Sequence, residues 1–223
     1  MALRFVTTNP GKVREAREHL ASPVEQLDFD TPEIQAEDLG AIAAHKARAA
    51  YRHAGEPVIV DDSGLFVAAF DGFPGPYSSY VYDRLGIERV WRLAREEDDR
   101  AAAFRGVVAY CDGEDFEATP EPVDRDAGDR AGDERATATT DEQVRTGTGD
   151  EGADSETLPV KLFEGVVPGE IVAPRGDGGF GYDPIFEYDD RTFAEMEPDK
   201  KNAVSHRGRA LSKFAEWYEA TDR

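Results

Sequence analysis

Apolar positions along this chain alternate between strand-like runs and helical stripes. The first run spans Leu3 to Val6, and the stripe of Val13, Ala16 and Leu20 predicts a helix that begins at Pro10. Later segments repeat the pattern, with helical stripes in Leu39 to Tyr51, Leu85 to Ala94 and Leu211 to Tyr218, and strand-like runs in Pro57 to Val60, Phe104 to Tyr110 and Val160 to Val167. Strands that alternate with helices predict an α/β fold, with helices flanking a twisted sheet.

The segment 112–157 departs from this pattern. It holds 16 of the 47 acidic residues but only four of the 26 basic ones, and it has few large apolar side chains. Such a segment buries too little surface to order itself, so we expect a disordered insertion. Strand-like runs flank it, which places it in a hairpin loop of a single domain over residues 1–223, because added length changes the closure entropy little. An acidic docking segment is the alternative.

The charge of the chain narrows its functional class. The 223 residues carry a formal net charge of −21. This argues against nucleic-acid binding, since proteins that follow phosphate backbones carry a basic face. Acidity of this kind is also typical of proteins from salt-loving organisms, where high ionic strength screens self-repulsion. We therefore hypothesise a halophilic protein.

The length of the apolar runs and the cysteine content indicate the cellular compartment of the protein. No apolar stretch approaches ~20 residues, so a membrane span is not expected. The lone cysteine, Cys111, offers no partner for an intramolecular disulfide, which suits a reducing compartment. We expect a cytoplasmic protein.

A first candidate for chemistry lies where a strand passes into a helix, in Thr7-Thr8-Asn9-Pro10-Gly11-Lys12. Helix N-termini present unpaired N–H groups and a partial positive charge, so phosphate can bind there, with Lys12 adding a full charge. Either Thr8 or Asn9 is placed to cap the helix. The spacing is not that of a Walker A loop, and an ordinary capped helix with a surface lysine is the alternative.

A second candidate is Asp61-Asp62-Ser63-Gly64-Leu65, directly after the apolar run Val58 to Val60. A strand end that delivers two adjacent carboxylates into a loop can hold Mg²⁺, which prefers hard oxygen ligands. Successive strand residues point in opposite directions, so one carboxylate could bind metal while the other orients or deprotonates water. An ordinary Asp-rich turn is the alternative in so acidic a chain.

Two isolated charged residues are weaker candidates. Glu33, in Pro32-Glu33-Ile34-Gln35, is one of 47 acidic residues, so its spacing alone says little. Lys46 lies one turn from Ile42 on an otherwise apolar helix face. A lysine there either snorkels to water or reaches an anion in a cleft.

Two segments near the C-terminus have the chemistry to bind a nucleotide. Aromatic residues alternate with glycines in Gly178-Gly179-Phe180-Gly181-Tyr182-Asp183-Pro184-Ile185-Phe186. Glycine lets backbone approach a planar ligand, and an aromatic ring can stack on a base, although such strands also form bends in ordinary sheets. Basic groups then concentrate in Lys200 to Arg207, where His206 is a donor, a stacking group or a cap.

Taken in order, these segments resemble the inosine triphosphate pyrophosphatase family. The matching pieces are Thr7, Asn9 and Lys12; Pro32, Glu33 and Gln35; Asp61 to Leu65; Pro74-Gly75-Pro76-Tyr77-Ser78; Phe163-Glu164-Gly165; Gly169-Glu170-Ile171-Val172; Phe180 to Asp183; Lys201-Asn202; and Ser205-His206-Arg207. Each piece alone is weak. Their joint occurrence in this order, over most of the chain outside the insertion, is highly specific.

The resemblance implies a two-lobed α/β structure around a long mixed sheet, with the nucleotide in a cleft between the lobes and usually a homodimer. Family members clear the noncanonical purine nucleotides ITP, dITP and XTP from nucleotide pools, releasing the monophosphate and pyrophosphate. Carried over by residue, Glu33 and Asp62 would hold Mg²⁺, and Asp62 would activate water. Asp61 would support it at the metal site.

The resemblance also implies a substrate-binding set, which comprises Thr7, Thr8, Asn9, Pro10, Gly11, Lys12, Lys46, Ser63, Phe180, Gly181, Tyr182, Asp183, Lys201, His206 and Arg207. Phe180 would stack on the purine, and donors such as the Arg207 guanidinium could select a 6-oxo base. One position departs from the family pattern. Ser79 stands where many members have a basic residue, so we expect one phosphate contact to be missing or supplied from elsewhere.

Two other functions remain open. The chain could be a nucleotide-binding sensor without turnover, although a binder needs no candidate base such as Asp62. It could also be a related pyrophosphatase that acts on modified pyrimidine or standard nucleoside triphosphates. A substrate panel that measures pyrophosphate release separates these possibilities.

Overall fold

The computed structural model describes residues 2–114, 116 and 158–221, and within them one sheet has eight strands. The strands are β1 (Leu3–Val6), β2 (Val24–Leu27), β3 (Val58–Val67), β4 (Pro74–Gly75), β5 (Ala101–Cys111), β6 (Lys161–Ile171), β7 (Phe186–Tyr188) and β8 (Arg191–Thr192). The helices are α1 (Pro10–His19), α2 (Leu39–Ala54), α3 (Ser78–Leu85), α4 (Ile87–Ala94), α5 (Pro198–Val204) and α6 (His206–Ala220). Short 3₁₀ turns cover Ala68–Phe70, Asp183–Ile185 and Phe193–Glu195.

The sheet is mixed, with the order β2-β1-β3-β5-β6-β7-β8 and with β4 paired to β3. The pairs β1–β2 and β1–β3 are parallel, and the others are antiparallel. Both crossovers between parallel strands contain a helix, as parallel pairing requires. The predicted α/β fold with flanking helices around a mixed sheet is confirmed.

The two faces of the sheet pack against different helices at one end of the long strands. Ile59, Val108 and Tyr110 lie in a buried cluster with α1 and α6, whereas their strand neighbours Val60 and Ala109 lie in a cluster with α2. Because side chains alternate along a strand, this end of the sheet is covered on both faces. The other end of β3, β5 and β6 packs in a third cluster with α3, α4 and β7. These two ends correspond to the two lobes that the resemblance implies.

Two paired glycines bring the start of α6 onto the sheet. Gly106 on β5 lies opposite Gly165 on β6. A Cβ atom on Gly165 would stand 1.9 Å from the carbonyl oxygen of His206, and one on Gly106 would stand 2.8 Å from the His206 ring. Only glycine at both positions leaves room for the helix N-terminus at this height above the sheet.

The predicted strand Pro57 to Val60 is wrong in length. The observed β3 continues to Val67, because its pairing with β5 runs without interruption from Val58 to that residue. Asp61 and Asp62 therefore lie within a strand and not in a loop after it. The ladder with β1 ends at Ile59 and the ladder with β4 begins at Leu65, so among the described residues 60–64 pair through β5 alone. The edge of β3 that pairs with β1 and β4 elsewhere therefore has no described strand partner at these residues.

The predicted helix over Leu85 to Ala94 is confirmed from Ile87 to Ala94, but Leu85 belongs to the preceding helix. Two helices, α3 and α4, meet at Gly86, whose positive φ of 72° ends the first. Val90 and Ala94 are buried as the stripe predicts, but Leu93 is 55% exposed. The C-terminal stripe is confirmed, because Leu211, Phe214, Ala215 and Tyr218 are all buried.

The predicted hairpin around the acidic segment is confirmed at its strands, since β5 and β6 pair antiparallel over ten residue pairs. The predicted insertion itself lies almost entirely outside the described residues. Cys111 ends β5 and is buried. None of the helices within the described residues has the length and apolar character needed to cross a membrane.

Candidate active site

Asp61 and Asp62 point to opposite faces of β3, as the predicted alternation requires. On the face of α1 and α6, Lys12 Nζ donates to Asp61 Oδ1 at 2.9 Å and Arg207 Nε donates to Asp61 Oδ2 at 2.7 Å. On the face of α2, Lys46 Nζ donates to Asp62 Oδ2 at 3.1 Å. The two adjacent carboxylates thus serve separate sets of partners.

Lys46 bridges two carboxylates from different elements. Its Nζ lies 2.8 Å from Glu33 Oε1 as well as 3.1 Å from Asp62 Oδ2. The Lys46 side chain is only 11% exposed, so it reaches an anion in a cleft and does not snorkel to water. Burial lowers the pKa of Lys46, but the two carboxylates outweigh it and the net pKa is raised. Glu33 and Asp62 therefore converge on one position suited to a cation.

The two aspartates have different proton affinities. Burial raises the pKa of Asp62 above its ordinary value, although Lys46 and the backbone N–H of Ser63 oppose the change. Burial also acts to raise the pKa of Asp61, but Lys12 and Arg207 outweigh it and the net pKa lies well below its ordinary value. Asp61 stays ionised, whereas Asp62 holds a proton more readily than an ordinary aspartate does. A raised pKa suits a carboxylate that accepts a proton from water.

Two cavities meet beside β3. The first, of about 610 Å³, is lined by residues that include Phe104, Phe180, Tyr182, Asp183, Lys201, His206 and Arg207. The second, of about 580 Å³, is lined by residues that include Glu33, Gln35, Ile42, Lys46, Asp62 and Tyr80. Ser63 and Ser79 line both. Each volume lies in the range of small-molecule sites, and the shared serines make them two halves of one cleft.

The first half combines aromatic rings with charged side chains. Phe180 is 62% exposed, and Lys201 Nζ lies over its ring, 4.4 Å from the centroid. Lys201 Nζ also donates to Asp183 at 2.5 Å, and the same carboxylate accepts from the Phe180 N–H. Asp183 therefore holds both the aromatic loop and the lysine at this wall of the cavity.

A model of the Ham1 family matches residues 3–122 and 140–217 of the chain. The chain belongs to the Ham1 family. The family resemblance drawn from the motifs is confirmed.

Curated and solved relatives of this Ham1 chain agree with that assignment. The dITP/XTP pyrophosphatase of Thermococcus kodakarensis is 41% identical over 97% of this chain and 97% of its own length. That of Methanopyrus kandleri is 41% identical over 98% of this chain and 96% of its own. The structure of a HAM1 protein from Coxiella burnetii superposes with a TM-score of 0.72 at 28% identity, covering 99% and 100% of the two chains.

His206 lines the aromatic half of the cleft in this Ham1 chain. Its ring stacks on Phe104, with centroids 5.0 Å apart and planes 17° apart. Nδ1 is buried and has no hydrogen-bond partner within the described residues. Burial first, and then the charge of Arg207, hold the pKa of His206 well below its ordinary value. The ring is therefore neutral at pH 7 and offers one donor and one acceptor.

Sequence reasoning missed Glu15. This α1 residue is buried, lines the aromatic cavity and accepts from Arg207 Nη1 at 3.4 Å. With Asp61, it holds the Arg207 guanidinium from two sides. A signal was present, because Glu15 adjoins Ala16 on the inward face of the predicted helix, and a buried carboxylate needs a cationic partner.

The N-terminal loop lies apart from the cleft lining. Within the described chain, Thr7, Thr8, Asn9, Pro10, Gly11 and Lys12 line neither of the two cavities. Asn9 caps α1 by accepting from the Gly11 N–H at 2.8 Å, which confirms one of the two predicted caps. Lys12 connects this loop to the site through Asp61. The predicted metal role of Asp61 stays a prediction, since both of its oxygens bond to cationic side chains here.

Two other residues of the predicted substrate-binding set, Gly181 and Tyr182, have structural roles. Tyr182 is buried, and its hydroxyl donates to the Ser78 carbonyl at 2.8 Å. Gly181 has a positive φ of 61°, which lets the aromatic loop turn between Phe180 and Tyr182. Both shape the wall of the aromatic cavity.

Proposed function

We propose that this chain hydrolyses the noncanonical purine nucleoside triphosphates ITP, dITP and XTP to the monophosphate and pyrophosphate, and so cleans the nucleotide pool. The relatives named dITP/XTP pyrophosphatase support this substrate class. The observation that carries the proposal is the convergence of Glu33 and Asp62 on one cation position, in a cleft whose other half has the lining of a purine site.

Magnesium fits the carboxylate pair. Glu33 and Asp62 offer hard oxygen ligands that already share one cation, the Lys46 ammonium. Magnesium sites in nucleotide enzymes commonly use one or two carboxylates and leave the other positions to phosphate oxygens and water. When bound, the ion would supply charge neutralisation along the triphosphate.

Asp62 and Lys46 then have distinct tasks. Asp62 accepts a proton from the water that attacks the α-phosphorus, and the bond from that phosphorus to the bridging oxygen of pyrophosphate breaks. Lys46, released from the carboxylates, lies where it can neutralise phosphate charge. The products are the monophosphate and pyrophosphate, with no covalent intermediate.

The aromatic half provides the selection of the base. Phe180 offers a stacking face, and Arg207 has N–H groups beyond those bonded to Asp61 and Glu15, which would donate to an acceptor such as the 6-oxo group of hypoxanthine. Adenine carries a donor at that position, so it would leave a buried donor without a partner, at a cost of about 1–3 kcal/mol.

The deciding experiment incubates purified protein with ITP, XTP, GTP, ATP and a modified pyrimidine triphosphate in Mg²⁺ and identifies the products. We expect pyrophosphate and monophosphate from ITP and XTP, with much slower release from ATP. Tight ITP binding without turnover would indicate a sensor. Preferred cleavage of a pyrimidine or standard nucleotide would indicate the related pyrophosphatase, and release of orthophosphate would overturn the reaction itself.

We also propose a cytoplasmic homodimer, on the family resemblance and the reducing-compartment argument from Cys111. Light scattering on purified protein tests the oligomeric state, and a mass of one chain would contradict it. Localisation of the tagged chain in its own cells tests the compartment.

A further inference from the structure

One buried carboxylate, that of Asp61, joins α1 to α6. Its side chain is 4% exposed, and each oxygen accepts from a different cation, Lys12 on α1 and Arg207 on α6. These partners lie 49 and 146 residues away in the sequence. We call Lys12, Asp61, Arg207 and Glu15 the Asp61 junction.

The two cations of the Asp61 junction have different surroundings. Arg207 lines the aromatic cavity, and its side chain is 9% exposed. Lys12 lies in the first turn of α1, and its side chain is 23% exposed. Lys12 is therefore accessible to a phosphate at the start of α1, and Arg207 is accessible to a base from the aromatic cavity.

A shared carboxylate makes these two cations interdependent. When a ligand draws one cation away, the carboxylate attracts the other more strongly, and burial leaves little screening between the three charges. Residues in one ion-pair network commonly show interaction energies well above those of separate sites. The coupling needs no further movement of the sheet.

We propose that Asp61 is a positioning residue that couples base recognition by Arg207 to phosphate binding by Lys12. This inference rests on the proposed nucleotide function, and it assigns Asp61 to selection of the substrate and not to the metal. Asp61 touches neither water nor phosphate in this role. Asp61 fixes the positions of the Lys12 ammonium and the Arg207 guanidinium.

The first test is binding of ligands that each fill only half of the site, measured by calorimetry without divalent metal. Inosine carries the base without phosphate, and inorganic tripolyphosphate carries phosphate without the base. We expect Lys12→Met to change the dissociation constant of inosine by about fivefold or more, although Lys12 lies outside the base cavity. Arg14→Met, at an exposed position of the same helix, is the matched control and should leave it unchanged.

The second test is a double-mutant cycle on kcat/KM for ITP. Lys12→Met and Arg207→Met are measured singly and together, first with Asp61 present and then in the Asp61→Asn background. With Asp61 present, the double variant should depart from the product of the single effects by about fivefold or more, and the departure should vanish with Asn. Thermal unfolding checks that each variant is folded in the assay.

The outcomes separate the inference from the function it rests on. If ITP is hydrolysed and inosine binds equally to Lys12→Met and the parent chain, with multiplicative effects in the cycle, the coupling is refuted while the enzyme assignment stands. If the parent chain neither hydrolyses ITP nor binds inosine, the nucleotide function itself fails. Should Asp61→Asn not fold, the inosine measurement and the cycle with Asp61 present still decide.

Discussion

Lys46 Nζ, on α2, lies 3.1 Å from Asp62 Oδ2 on β3. The same ammonium lies 2.8 Å from Glu33, so one buried cation holds together two carboxylates that the chain delivers from separate elements. A second cation entering this position would compete with Lys46. Under the proposed magnesium binding, the ion would displace Lys46 from both carboxylates.

Replacing Asp62 by Asn tests the proton acceptor. The change keeps the shape of the side chain but removes the base, so we expect kcat for ITP to fall by about 10²- to 10⁴-fold with the thermal midpoint nearly unchanged. Pyrophosphate release measures the effect. Asp71→Asn is a matched control, because Asp71 is exposed and its positive φ of 51° suits Asn equally well. An active Asp62→Asn enzyme would refute the assigned role.

Acid unfolding tests the ion pairs of Asp61. Its folded-state pKa is depressed, so the stabilisation is present above the ordinary value of 3.8 and is lost as the pH falls below it. At pH 7 we expect Asp61→Asn to lower the free energy of unfolding by about 3–5 kcal/mol, since two buried cations lose their partner. Urea titrations from pH 7 to pH 2 should show this difference shrinking in acid. A difference that stays constant with pH would contradict the ion-pair origin.

Phe180 should contribute stacking energy to the base. Base–aromatic stacking contributes about 1–3 kcal/mol, so we expect Phe180→Ala to raise KM for ITP by about 5- to 150-fold. Steady-state kinetics with ITP measures the change. Leu93→Ala removes an apolar side chain of similar exposure, 55%, on α4. If both variants behave alike, Phe180 has no specific contact with the base.

The paired glycines under His206 predict a graded effect of added methyl groups. Gly165→Ala places a Cβ against backbone, 1.9 Å from the His206 carbonyl, so α6 must shift and we expect a loss of about 1–3 kcal/mol in stability with a higher KM for ITP. Gly106→Ala meets the edge of the His206 ring at 2.8 Å and should cost less. Urea unfolding ranks the two. The reverse order would mean that the ring, and not the backbone, limits the approach.

High salt should stabilise the chain if its acidity reflects a halophilic habitat. With a net charge of −21, self-repulsion is strong at low ionic strength and is screened when the Debye length falls to about 3 Å near 1 M salt. We expect the thermal midpoint to rise from low to molar KCl and activity to fall at low salt. Sucrose at equal osmolality is the control. Indifference to KCl would reject the hypothesis.

Local chemistry determined much of this protein from its sequence alone. Element types follow from nearest-neighbour periodicity, which is why the strand at Leu3, the cap at Asn9 and the stripe of Leu211 to Tyr218 are found where predicted. The motif order identified the family, and alternation along a strand placed Asp61 and Asp62 on opposite faces. None of these inferences needs a contact between distant residues.

The tertiary structure determined which strands pair and which charged residues of the site form ion pairs. The length of β3 depends on its ladder with β5, so the position of Asp61 and Asp62 within a strand was not readable from the apolar run before them. Arg207 lies 146 residues from Asp61 and 192 from Glu15. A local sequence pattern cannot reveal ion pairs between residues so far apart in the chain. Burial and charge pairing select these partners only after the sheet has brought α1 and α6 together.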